Sequence, residues 1–279
     1  MSFYCCSFRS VGALWLAYVV ALGMTVCATK ALAGNLEVAQ HVVPAPAEPR
    51  SEKHLFQTTI PVTSIGAAAI ERTRQRLSFA YSDLGLNLGA PLYLRLIRDQ
   101  SKLEVWAKPA QQRAYIRLRT VKLCGKNGMI GPRQSANSGQ AEGFYAITPN
   151  QLRPAGVTYL GLGFGWPNAF DQKRGWKGAP SLLQAGCTTG RHYGLTDQDM
   201  EEVYTMVYFA LRAGQASVPL HIFPFQMSPF RMLQVGKGAK ANFWKELEPA
   251  WQAFERTKTP PHVSVQGRRY RIIEAEQAD

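Results

Sequence analysis

The sequence is poor in acidic residues and in cysteine, and it lacks the patterns that mark several common functions. Among 279 residues there are 19 acidic and 32 basic side chains, so the formal net charge is +13. A basic chain favours anionic partners. However, the cations are scattered, and no helix-turn-helix, RNA-binding or zinc-finger pattern is present, so nucleic acid is not expected. No Cys/His spacing is typical of zinc, and neither a metal nor a cofactor is expected.

The first 33 residues predict a signal peptide. Residues 1–10 contain one Arg and no acid, an apolar run extends from Val11 to Val26, and Ala31-Leu32-Ala33 is a small-x-small cleavage site. We therefore expect export to the periplasm or cell envelope, with no integral membrane span after cleavage; an uncleaved signal anchor is the alternative. Cleavage removes only two charges, Arg9 and Lys30, and leaves +11.

Export also leaves two of the five cysteines, Cys124 and Cys187. In an oxidising compartment two thiols can form a disulfide. The sequence does not decide whether these two lie within bonding distance, so both the free and the paired state remain open.

The remaining chain divides into segments by composition. A Pro/Ala-rich linker covers residues 34–63, and a helix that Ser64 caps lies within residues 64–90. The main domain covers residues 91–225. A helix and a β-hairpin follow in residues 226–273, and residues 274–279 form a tail. Alternating apolar residues predict short strands, among them 92–98, 102–107, 115–123, 142–147, 159–164, 181–184 and 217–223. Near the C-terminus a helix is predicted from Phe243 to Lys258 with Asn242 as its cap, followed by a final hairpin around Gly267. The fold class is mainly β with accessory helices.

One segment carries the chemistry: Gln184-Ala-Gly-Cys187-Thr-Thr-Gly190-Arg191-His192-Tyr-Gly-Leu-Thr196-Asp197. A capping box at Thr196 opens an amphipathic helix after it, whose apolar residues we assign to the core. Together with Glu142-Gly-Phe-Tyr145, Phe164-Gly-Trp166-Pro-Asn168 and His221-Ile-Phe-Pro-Phe225, the segment resembles the YafK-like subgroup of the L,D-transpeptidase (YkuD-type) family. The resemblance implies a β-sandwich-like domain with its active site beside residues 184–196.

In that family a cysteine attacks a diaminopimelate carbonyl in a peptidoglycan stem peptide, a histidine takes the thiol proton, and backbone N–H groups of the glycine-rich turn hold the oxyanion. Here the nucleophile position holds His192 and the base position holds Gln184. We therefore interpret the chain as a catalytically degenerate protein that binds murein stem peptides or a murein enzyme. An active transpeptidase or murein peptide hydrolase is the alternative, with Cys187 as nucleophile and His192 as base; the subgroup also carries a non-catalytic cysteine at position 187.

Four further residues are candidates for binding. Arg191 and Arg133 suit a stem-peptide carboxylate because a guanidinium binds carboxylates in bidentate fashion. Trp166 is expected to shape the pocket wall, and Gly190 belongs to the turn that holds the oxyanion. His221, on an apolar strand, is interpreted as a buried structural histidine, with a catalytic role as the alternative.

Overall fold

The computed structural model describes residues 60–125, 130–135, 138–187 and 190–274. The predicted signal peptide, nearly all of the predicted linker and all but the first residue of the predicted tail lie outside these ranges. The helices are α1 (Ser64–Ser82), α2 (Ala169–Lys173), α3 (Asp197–Arg212), α4 (Pro229–Leu233) and α5 (Ala239–Thr257), with a 3-10 turn at Pro149–Gln151. The strands are β1 (Leu92–Ile97), β2 (Lys102–Ala107), β3 (Ile116–Lys122), β4 (Gly143–Ile147), β5 (Leu152–Arg153), β6 (Gly161–Gly163), β7 (Leu182–Ala185), β8 (Tyr193–Leu195), β9 (Val218–Phe223), β10 (His262–Gln266) and β11 (Arg269–Ile273).

Two sheets and a separate hairpin make up the β-structure of the described residues. The first sheet has the order β3-β2-β1-β9-β4, in which only β1 and β9 are parallel. The second has the order β5-β6-β7-β8, in which β7 and β8 are parallel. Helix α3 contacts strands of both sheets and shares one apolar core with them. The predicted mainly β class with accessory helices is confirmed.

Helix α3 is central to the core because its sequence buries more than one face. Thr196 caps it by accepting a hydrogen bond from the Asp199 N–H at 3.1 Å, as its sequence predicts. Glu202 is buried on α3 and forms ion pairs with Arg76 of α1 and Arg119 of β3. A buried carboxylate needs such partners, since an unpaired buried charge is costly. These ion pairs fix α1 and β3 against α3.

The C-terminal helix begins earlier than its sequence predicts. Asn242 is the predicted cap, whereas α5 starts at Ala239 after Gly238, which has a φ of 115° and no side chain to mark a cap. Pro249 lies inside the helix. The buried face of α5 packs with the β10–β11 hairpin against Phe170 and Phe223, in a second apolar cluster. The hairpin is paired from His262↔Ile273 to Gln266↔Arg269, as predicted around Gly267.

Across the described ranges, no helix combines the length and the hydropathy that a bilayer span requires.

Candidate active site

The segment that carries the chemistry connects two neighbouring strands. Gln184 lies on β7, His192 immediately precedes β8, and residues 186–191 connect the two. Because β7 and β8 are parallel, the connection returns the chain to the end of the sheet from which β7 started. Gln184 and His192 therefore line the same cavity, of about 580 Å³. Arg191 lines it as well, and the structure thus brings together three of the predicted site residues.

Gln184 is paired with a glycine on each of its two neighbouring strands. The residue paired with Gln184 on β6 is Gly161, and the residue paired with it on β8 is Gly194. A Cβ atom on Gly161 would lie 3.6 Å from the Gln184 Cβ, which is ordinary van der Waals contact. Since directly paired residues project to the same face of a sheet, neither paired position places a side chain directly beside Gln184, which is 8% exposed and lines the cavity together with Gly161. We call this arrangement the glycine trough.

His192 is held as a neutral imidazole. Its Nδ1 accepts a hydrogen bond from the Leu182 N–H at 3.0 Å, and its carbonyl oxygen accepts one from the Gln140 amide at 2.7 Å. Burial, followed by the nearby Arg191 and Arg133 charges, lowers the pKa of His192 to about 4. Because Nδ1 is an acceptor, the neutral ring carries its proton on Nε2. His192 can therefore donate a hydrogen bond, but the lone pair that a nucleophile or base would use is already engaged.

Arg133 lies behind the cavity rather than in it. The residue is 1% exposed, and its guanidinium stacks at 3.7 Å from the Trp166 ring centroid. It donates from Nη1 to the Ser181 hydroxyl, which donates in turn to the Arg191 carbonyl at 3.0 Å. Arg133 thus holds the backbone that presents Arg191. Neither Arg133 nor the buried Trp166 lines the cavity, so their contribution as arranged here is to support the site.

Gly190 has a φ of +92° and is exposed beside Arg191 without lining the cavity. This left-handed conformation favours glycine.

Cys187 is bonded to Cys124. The disulfide has a Cα–Cα distance of 4.8 Å, and the Cys124 N–H donates to the Gly194 carbonyl at 2.9 Å, next to β8. Of the two states that the sequence left open, the structure has the paired one. The thiolate is the reactive form of cysteine. In the oxidised protein Cys187 has no thiol to ionise, and the rearranged Cys187–His192 pair cannot form.

His221 is a buried structural residue, as its apolar strand predicts. It is 3% exposed on β9, its Nδ1 lies 3.1 Å from the Tyr93 hydroxyl, and its ring packs edge-to-face on Phe144. Burial, followed by the Arg95 charge, lowers the pKa of His221 to about 3. The ring is neutral and does not line the cavity.

The sequence did not single out one wall of the cavity. Arg153, on the two-residue strand β5, and residues 155–158 line it together with the segment that carries the chemistry. Val157 in this wall is fully exposed. No local pattern indicates this wall, because Arg153 is brought to the cavity only by the pairing of β5 with β6.

Comparisons with known proteins point in one direction. No protein-family model matches the chain. The chain is 33% identical over 184 residues to the curated protein "Putative L,D-transpeptidase YafK" of Escherichia coli (strain K12), covering 66% of this chain and 74% of the relative. The protein of the same name from Escherichia coli O157:H7 gives the same values.

Among solved structures, Bd1075 of Bdellovibrio bacteriovorus is 15% identical, with a TM-score of 0.34 over 60% of this chain and 55% of that one. The helical cell shape determining protein Pgp2 of Campylobacter jejuni is 11% identical, with a TM-score of 0.35 over 68% of this chain and 80% of that one.

Proposed function

The chain belongs to the L,D-transpeptidase family, and on this premise we propose that it is an exported protein of the cell envelope that binds murein stem peptides without turning them over. The binding site is the cavity lined by His192, Gln184 and Arg191. The observation that carries the proposal is that both positions at which the family performs its chemistry face this cavity with side chains that cannot perform it.

The lack of turnover follows from three side chains. The Nδ1 lone pair of His192, which a nucleophilic imidazole would use, already accepts from the Leu182 N–H, so His192 does not attack a carbonyl. The amide of Gln184 is not basic and cannot take a proton usefully. Cys187 is bonded to Cys124. Loss of either the nucleophile or the base removes most of the activity, because the two act as a unit, and here both are absent.

Binding is supported by the groups that remain. The cavity offers cations at Arg191 and Arg153, an Nε2–H donor at His192 and an amide at Gln184. Stem peptides present carboxylates and amides, which these groups can pair with. Gly161 of the glycine trough lines the cavity and places no side chain between Gln184 and a bound peptide. The basic surface of the whole chain adds attraction for an acidic polymer.

A substitution that fills the trough tests the site. Gly161 has no positive φ, and a Cβ there makes only ordinary contacts, so Gly161→Val fits the backbone and occupies the cavity. We expect the purified protein to bind muropeptides by calorimetry and Gly161→Val to bind at least about tenfold more weakly, a loss of about 1.4 kcal/mol. Thr120→Val, which places a valine at an exposed position of β3 outside the cavity, is the control for a strand valine and should bind normally.

Mass spectrometry of the same muropeptides tests turnover. We expect no product from the natural protein, and product from the Gln184→His/His192→Cys variant, with its Cys124–Cys187 disulfide verified by peptide mapping. Turnover by the natural protein would contradict the proposal. Equal binding by the natural protein and the Gly161→Val variant would move the binding site away from this cavity.

A further inference from the structure

A second cavity lies between α5 and the β10–β11 hairpin. Its volume is about 1010 Å³, and it shares no lining residue with the His192 cavity. Five cations line it against a single carboxylate, Glu246; the cations are Arg174, Lys245, Arg268, Arg269 and Arg271. We call it the basic groove.

The local sequence explains why the cations gather here. Along β11 exposure alternates: Tyr270 and Ile272 pack into the apolar cluster, while Arg269 and Arg271 are exposed at the cavity that all four residues line. Tyr270 is fixed by stacking on Phe170 at a centroid distance of 3.9 Å. The hairpin is therefore fixed against the apolar cluster, and its arginines line the same cavity as the exposed Lys245 of α5.

The charges of the basic groove are not balanced within the described part of the protein. Arg174 pairs with Glu246 at 2.5 Å. For Lys245, Arg268, Arg269 and Arg271, no carboxylate of the described residues lies within 4.0 Å. By contrast, Arg72, Arg76, Arg95 and Arg98 each pair with a glutamate. Four like charges around one concavity repel one another, and a bound anion would relieve that repulsion.

We propose that the basic groove binds the phosphate groups of an anionic ligand. A guanidinium fork matches phosphate geometry in bidentate fashion, and three of the four unbalanced cations are arginines. Phosphates in a polymer or at a bilayer surface carry one charge each and lie close together, so several of them can pair with the four cations at once. The amides of Asn242 and Gln266 line the same groove and add neutral donors. Two sources present this chemistry, a phosphate polymer and an anionic lipid headgroup.

The test compares two variants with equal loss of charge. In the groove variant, Lys245, Arg269 and Arg271 are changed to Gln; in the control variant, the exposed cations Arg113, Lys122 and Arg212 are changed to Gln. Binding of the full chain to fluorescent linear polyphosphate is measured by anisotropy at fixed ionic strength. We expect the dissociation constant to rise about tenfold or more for the groove variant and less than about threefold for the control, from three lost charge contacts. Asn242→Glu, which adds a negative charge to the groove, should also weaken binding.

Two further arms identify the source of the phosphate. Vesicles of phosphatidylcholine with and without phosphatidylglycerol report a lipid headgroup, and polyglutamate reports simple attraction to any polyanion. Groove-dependent binding of polyphosphate indicates a phosphate polymer, and groove-dependent binding of only the phosphatidylglycerol vesicles indicates a lipid; both support the proposal. Equal weakening in the groove and control variants, equal affinity for polyglutamate, or no saturable binding to either phosphate probe would overturn it.

Discussion

Removal of the Cys124–Cys187 disulfide should strongly destabilise the folded protein. The two cysteines are 63 residues apart in sequence, and the bond closes a loop of that length. The chain-entropy relation assigns such a loop about 4 kcal/mol at 25 °C. For a domain of this size that corresponds to a melting temperature lowered by about 10 °C. The Cys124→Ser/Cys187→Ser variant should show this loss, and its unfolding should remain a single transition.

Denaturant unfolding followed by tryptophan fluorescence measures the effect. The natural protein is compared in oxidised and reduced form with the double serine variant. The variant serves as the control for the reductant, because reduction should destabilise the natural protein and leave the variant unchanged. Cys187 lies at the start of the connection between β7 and β8, and the disulfide holds it beside β8. Because this connection leads to the residues that line the cavity, muropeptide binding by the variant should weaken in parallel with its stability. Equal midpoints for oxidised and reduced natural protein, or two free thiols in the native protein, would refute this reasoning.

Two other changes probe buried charge and protonation. Glu142→Gln removes the carboxylate that pairs with the buried Arg98 and accepts a hydrogen bond from Trp244 Nε1 at 2.8 Å. This change should cost about 3–5 kcal/mol of unfolding free energy. Glu71→Gln, which removes the carboxylate of an exposed pair, should cost less than about 1 kcal/mol. A similar loss at both sites in urea titrations would rule out the buried-pair argument. Burial lowers the pKa of His221 to about 3 in the folded protein, whereas the pKa in the unfolded chain is about 6.5. Between these two pH values only the unfolded chain takes up the proton, so the free energy of unfolding declines as the pH falls from about 6.5 toward about 3. His221→Gln should reduce the slope of unfolding free energy against pH by up to about 1.4 kcal/mol per unit, and an unchanged slope would show that His221 is protonated in the fold.

The elements that local sequence determines are predicted well. The Thr196 cap and the apolar spacing after it predict α3, and alternation with a short turn predicts the β1–β2 and β10–β11 hairpins. Helix α1 is predicted within one residue, with Thr63 rather than Ser64 as the cap, because two adjacent hydroxyl residues fit the same signal. In each case the determining contacts lie within a few residues of each other.

The features that the sequence did not predict are of two kinds. Some depend on contacts between residues far apart in the chain, and others occur at residues whose side chains give no recognisable pattern. Gly238 begins α5 with no capping side chain, so Asn242 gave a stronger but misleading pattern. The sequence predicts Arg133 as a contact to the ligand. In the structure Arg133 is packed against Trp166 and supports the site from behind, and no sequence pattern indicates that packing. Arg153 enters the cavity through strand pairing. The partner of Cys187 is likewise set by how β3 and β8 meet.

The glycine trough also makes position 184 a site for redesign toward the cavity. Gly161 and Gly194 occupy the paired positions, so no side chain lies directly opposite a residue at 184 on either strand. Because Gln184 is only 8% exposed, a new group must extend into the cavity that this residue lines. A library of aromatic, basic and metal-binding residues at position 184, screened against small anionic peptides, would use this domain as a host for recognition sites that it does not have in its natural form.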